Sequence, residues 1–273
     1  SNGSGEILSS STLTIKNNGN INIEKLKISE LNIINTNILS SNNFSIISSK
    51  IPELNINGIL NLTKSNVNTL INNGSENVST HNSNIYYIKN MEDGQIELND
   101  SIVKSNIINN GVGDIFVNNT NVESIYSLYG KIIDNAGAGN IIINGGNITN
   151  NYSGKDYENR YLIYNGSTGI ITINNGNISM NDYKNKYYYD IAIENAAAGT
   201  ININGGTIST PNSYRFIGIK NTKGLVNING GLIESRIVNV GTINMNGGII
   251  NSEVNITGGS GITNTGTINM TSG

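Results

Sequence analysis

One phrase recurs along the chain: an apolar residue, any residue, an apolar residue, Asn, three further residues, then Ile or Val. It reads IIINGGNI (Ile141 to Ile148), ITINNGNI (Ile171 to Ile178), ININGGTI (Ile201 to Ile208), VNINGGLI (Val226 to Ile233) and INMNGGII (Ile243 to Ile250). IELNDSIV (Ile96 to Val103) and IFVNNTNV (Ile115 to Val122) are weaker copies, and LNIINTNI (Leu31 to Ile38) and LNINGILN (Leu54 to Asn61) are degenerate ones. A second phrase, Ile, any residue, Asn, a short spacer and Gly, stands between copies of the first. Examples are IDNAGAG (Ile133 to Gly139), IYNGSTG (Ile163 to Gly169) and IENAAAG (Ile193 to Gly199). One such unit is too short to bury its own apolar residues, so units of this kind must stack on one another.

The phrases define two columns of Asn. The first runs Asn57, Asn99, Asn118, Asn144, Asn174, Asn204, Asn229, Asn246; the second runs Asn73, Asn90, Asn110, Asn135, Asn165, Asn195, Asn221, Asn239, Asn264. From Asn90 onward, the spacing from the second column to the next member of the first stays between seven residues (Asn239 to Asn246) and nine (Asn90 to Asn99). From first to second it ranges from ten (Asn229 to Asn239) to 21 (Asn144 to Asn165). One side of each unit is fixed and the other accepts insertions. That pattern predicts an all-β right-handed parallel β-helix (β-solenoid) of about 12 coils, with Asn ladders at two corners and loops inserted on one edge. Inward Ile, Val and Leu would alternate with outward Asn, Thr or charge. Asn and Gly tolerate the left-handed backbone of the corners, and stacking at about 4.8 Å per coil would give a rod near 60 Å long.

Residues 1–18 read as an N-terminal linker or first coil, with SNGSG (Ser1 to Gly5) linker-like, and residues 19–273 as one β-helix domain. Residues 19–85 keep the alternation but lack the Gly-Gly turns. The final INMTSG stops in mid-coil without a polar cap, so the natural chain is expected to continue.

Composition narrows the function. Asn is about a fifth of the 273 residues, while charged residues are 13% against about 25% in average chains. A net charge of −3 offers no basic footprint for nucleic acid. No apolar run approaches the roughly 18 residues of a membrane span, so direct membrane insertion by this chain is not expected. Cysteine is absent, which excludes disulfides and thiolate zinc sites. The one histidine, His81, lies in the polar stretch STHNSN and reads as solvated surface. The seven Asp (Asp93, Asp100, Asp114, Asp134, Asp156, Asp182, Asp190) are scattered. A retaining glycosidase needs two carboxyls about 5 to 5.5 Å apart, and only Asp156 with Asp182 or Glu158 with Asp190 could supply them from neighbouring coils. The Gly-Gly corners are followed by no Lys-Ser/Thr, so they are not phosphate loops. No catalytic residue, metal or cofactor is therefore predicted.

Three successive insertions stand out: NNYSGKDYENRY (Asn150 to Tyr161), SMNDYKNKYYYD (Ser179 to Asp190) and STPNSYRF (Ser209 to Phe216). Entering at one point of the coil, they should share one edge of the rod. Tyr152, Tyr157, Tyr183, Tyr187, Tyr188 and Tyr214 form its candidate recognition surface, because Tyr supplies rigid amphipathic contact area. The bland alternative is that these tyrosines cover the sheet. By alternation from Ile163 and Ile193, Tyr161 and Tyr189 should point inward.

YLIYNGSTGIITINNGNIS (Tyr161 to Ser179) and IAIENAAAGTININGGTIS (Ile191 to Ser209) resemble the repeats of bacterial surface adhesins. Both Gram-positive β-helical surface proteins with GTVNISGGTVS-type units and autotransporter passenger domains carry such repeats. The resemblance spans about Gly94 to Met270. It implies an extracellular home, on the bacterial cell surface or secreted, and an adhesive role toward a host-cell protein or glycan. It transfers no binding residue. The other reading is a carbohydrate-active β-helix, either a polysaccharide lyase or hydrolase or a phage tailspike-like protein.

Overall fold

The alternation of Ile with polar residues becomes stacked parallel strands in the computed structural model, which describes residues 8–17, 21–24, 27–35, 43–47, 49–124, 130–150, 160–181, 190–211, 216–251 and 261–272. Among the described residues there is no helix. The strands form sheets of 19 and 12, and their pairings are parallel. The all-β, parallel, laddered solenoid expected from the repeat is therefore the observed architecture.

Each repeat places one strand in the 12-stranded sheet, from Ile21–Glu24 to Thr267–Met270. The larger sheet begins with long strands such as Asn66–Asn72 and Asn84–Asn90. Asn84–Asn90 then faces two shorter strands at once: its Asn84 and Ile85 pair with Ile102–Val103, and its Ile88 to Asn90 pair with Ile107–Asn109. Beyond that point every repeat carries two separate strands in this sheet, so the coil gains a third corner.

Inward apolar residues, at least four in most repeats, make the core. In one repeat they include Ile201, Ile203, Ile208 and Ile219, each at most 1% exposed. Each sits over its counterpart in the next, as Ile201 over Val226 and Ile208 over Ile233. Burying one such side chain contributes about 1.5 to 3 kcal/mol, against which stands the entropy of ordering the coil.

The corner leaving the 12-stranded sheet uses two chemistries. Toward the C-terminus Gly206 and Gly231 turn it with φ of 80° and 84°, a conformation that costs a glycine little. In earlier repeats Lys64, Asn82, Asp100 and Asn119 hold φ of 47–49° there, and each precedes a buried hydroxyl: Ser65, Ser83, Ser101 and Thr120. Those hydroxyls accept the backbone N–H of the repeat before, at 3.1 to 3.2 Å. This hydroxyl ladder does the turning where the Gly-Gly pairs are missing.

The two Asn columns differ in kind. The first, Asn99–Asn118–Asn144–Asn174–Asn204–Asn229–Asn246, faces outward, linked amide to amide at 2.7 to 3.0 Å. The second faces inward, where the strand alternation predicts only Ile, Val and Leu. Asn90, Asn135, Asn165, Asn195 and Asn221 are 0% exposed. Asn135 Nδ2, for example, donates to Asn165 Oδ1 at 3.1 Å and to the Gly139 carbonyl at 2.9 Å. The amide thus ties one coil to the next and closes its own turn.

Three assignments change. Asn109, not Asn110, is the ladder member, bonded to Asn90 and Asn135, and Asn72, not Asn73, bonds to Asn90. Period-two alternation explains both: the residue two beyond inward Ile107 or Leu70 points inward, and the next points out. Asn110 is accordingly exposed, with its Nδ2 3.7 Å from Met91 Sδ. Asn57 lies beside Gly74 at the other corner; Thr63 and His81 hold the outward column above Asn99.

Candidate functional site

The third corner, between the two strand arrays of the larger sheet, is where the insertions enter. Asn150 and Met180 stack where the chain leaves the first array. Arg160, Asp190 and Phe216 stack where it returns. The expectation that successive insertions share one edge holds for these flanking residues. Tyr152, Tyr157, Tyr183, Tyr187, Tyr188, Tyr189 and Tyr214, and with them Asp156, Glu158 and Asp182, lie outside the described residues.

The strands that return from this corner, Lys131–Asn135, Arg160–Asn165, Asp190–Asn195 and Phe216–Asn221, bring several charged and aromatic side chains together. Two columns run across them. One is Lys131, Tyr161, Ile191 and Ile217; the other is Asp134, Tyr164, Glu194 and Lys220. Leu162 and Ile163 are both fully buried, which breaks the alternation and leaves Tyr161 half-exposed rather than in the core. Its ring meets Tyr164 edge to face, with centroids 5.3 Å apart. The inward orientation expected for Tyr161 is corrected by this doubled burial.

Charge surrounds the two rings. Lys131 Nζ lies 3.5 Å from the centroid of Tyr164, a cation–π contact, and 3.2 Å from Asp134. Glu194, 5% exposed, accepts from Lys220 Nζ at 2.8 Å and from the Thr222 hydroxyl at 3.2 Å. Burial pushes the Tyr164 phenol above its ordinary value; Glu194, Tyr161 and Asp134 add to the shift, and Lys220 opposes it. The phenol therefore stays a hydrogen-bond donor to higher pH than a free tyrosine. Ile191 and Ile217 are 1% and 5% exposed yet stand apart from the interior cluster.

Beneath this face lies a buried ion pair. Arg160 donates to Asp190 through Nε at 2.7 Å and through Nη2 at 2.5 Å, and the two side chains are 2% and 5% exposed. Bidentate geometry offsets much of the cost of desolvating both charges. Asp190 is thereby committed to a guanidinium, which argues against its service as one of two glycosidase carboxylates. Among the described residues, no group of three or more His, Asp or Glu side chains is placed to hold a metal ion.

No family model matches the chain, and neither a curated protein nor a solved structure is significantly similar to it. The site must be judged on its own geometry. His81 sits in the outward Asn column, exposed, with Nδ1 3.9 Å from Asp100, far along the rod from the tyrosines.

The Asp134–Tyr164–Glu194–Lys220 column was readable from the repeat, because each is the middle residue of the phrase Ile, any residue, Asn. Aligning those middle residues as carefully as the Asn would have exposed it. A third ladder, Asn202–Asn227–Asn244–Asn269, has hydrogen bonds of 2.8 to 2.9 Å. It occupies the free position of the first phrase in the same way. The Arg160–Asp190 pair lies outside both recurring phrases, although the 30-residue step that relates Asn165 to Asn195 also relates these two residues.

Proposed function

We propose that this chain is a non-catalytic, adhesin-type module of an extracellular bacterial surface protein, a stiff laddered rod that carries a recognition surface on one corner. The observation that supports this most is the stacking of Arg160, Asp190 and Phe216 in adjacent repeats. It brings the ends of three insertions, which together carry eight of the thirteen tyrosines, to the same corner, next to the Tyr161–Tyr164 pair. A corner that tolerates length change while the rest of the coil is locked suits a binding surface, because loop variation there leaves the scaffold intact. The partner in this reading is a host-cell protein or glycan.

The test is the triple substitution Tyr183→Ser, Tyr187→Ser and Tyr188→Ser, assayed for binding to host cells and to a glycan array. Binding should be lost while the melting temperature stays that of the parent chain. Full binding by the variant rejects this corner as the site.

A further inference from the structure

The outward face of the 12-stranded sheet changes character along its length. In strands Val78–His81 and Ile96–Asn99 the outward residues include His81 and Glu97, both exposed. In the seven strands from Ile115–Asn118 to Thr267–Met270, no outward residue is charged. Asp114 and Lys223 stand only in turns at its margin. Charge is not scarce in these repeats: Glu123, Lys131, Asp134, Glu194, Lys220 and Glu234 belong to the larger sheet.

What the neutral face presents instead is apolar and amide. Phe116, Ile142 and Leu225 are partly exposed, and Ile170 is 39% exposed. Asn202, Asn227 and Asn244 run parallel to the outward column that contains Asn204, Asn229 and Asn246. Each amide inside a ladder spends one N–H and one oxygen lone pair on its neighbours and keeps one of each. The ladders hold these groups in place before any contact, which lowers the entropy lost on binding.

We propose that this face pairs with the same face of a second copy of the chain. Three features favour that partner. Its free amide donors and acceptors recur once per repeat, so they match those of an identical face along its length, as identical side chains do between paired sheets. Neutrality removes like-charge repulsion between chains that each carry a net −3. Covering its partly exposed Phe116, Ile142, Ile170 and Leu225 removes apolar surface from water. Seven strands at about 4.8 Å, and a width of five residues at about 3.3 Å each, give roughly 550 Å² per copy. The total of about 1,100 Å² falls at the small end of specific interfaces. The pair is therefore weak and reversible, strengthened where many copies share one surface.

Sedimentation equilibrium of the whole chain, from micromolar to millimolar concentration, tests this. A reversible dimer is expected. The double substitution Ile142→Lys and Ile170→Lys places like charges opposite one another and should weaken association by at least about tenfold, with circular dichroism and melting temperature unchanged. Tyr86→Lys, at an exposed position of the larger sheet, should associate as the parent does. If the double variant folds poorly, Thr172→Lys gives the same test with a milder change. A parent chain that stays monomeric throughout overturns the proposal, as does a folded face variant that associates as well as the parent. A neutral glycan bound by the monomeric parent and lost in the face variant would assign the surface to that polymer and equally overturn it.

Discussion

An amide in a protein interior is costly unless its oxygen and both hydrogens find partners. The inward Asn column meets that demand at every step, with one N–H to the next amide and one to a turn carbonyl. Position therefore matters more than residue type. Asn109 and Asn110 are neighbours of identical chemistry, yet only Asn109 is buried and laddered. Asn109→Ala should cost about 1–3 kcal/mol by leaving its neighbours' groups unpaired. Asn110→Ala should change stability by less than about 0.5 kcal/mol. Urea unfolding of the two variants checks this; equal losses would mean the register is wrong. Tyr164 makes a second residue-scale prediction. Its raised pKa means that the folded chain favours the neutral phenol. That contribution is intact below the ordinary tyrosine value of 10.0 and is lost as pH rises through the higher folded value. Above about pH 10 the parent should therefore lose stability faster than Tyr164→Phe, and its phenolate absorbance should include a late-titrating group that this variant lacks.

At the scale of strands and corners, each turn is fixed by what lies one repeat away. A Cβ on Gly169 would stand 2.2 Å from the Gly139 carbonyl and 2.6 Å from Asn135 Nδ2. The requirement for Gly there is one of space, set by the rise between coils. Gly169→Ala should destabilise the chain by about 1–3 kcal/mol or more through overpacking, measured as a drop in the denaturation midpoint. An unchanged midpoint would show that the corner can relax. The third corner obeys different rules. Its strands are kept in register across insertions of unequal length, and the Arg160–Asp190 pair sits at the point of return. Sequence periodicity placed that corner correctly, but the recurring phrases do not contain the pair. It also misplaced Tyr161, because alternation fails where Leu162 and Ile163 are buried together.

For the whole molecule, stability should behave as a sum over neighbouring repeats. Asn221 and Asn239 are ladder neighbours 18 residues apart. Deleting residues 222–239 removes one complete coil and lets Asn221 take the place of Asn239 beside Asn264. The shortened chain should fold, keep its β-sheet circular dichroism and be about 5 Å shorter by small-angle scattering. Loss of the fold would show that cooperativity extends beyond adjacent coils. Charge also divides at this scale: the larger sheet carries it, while the C-terminal seven strands of the other sheet present none outward.

The repeat alone determined that strands are parallel and stacked, where the insertions fall, and that Asn columns join the coils. These follow from period-two alternation and recurrence, which are local properties of a sequence. Only the tertiary structure decided which Asn column faces inward, which member of each Asn-Asn pair belongs to it, and how Arg160 meets Asp190. It alone also showed the third sheet side that opens beyond Asn90. Those outcomes depend on side chains about one coil apart, separated by 17 to 30 residues in the chain, and no local pattern records which of two adjacent amides the next coil will meet.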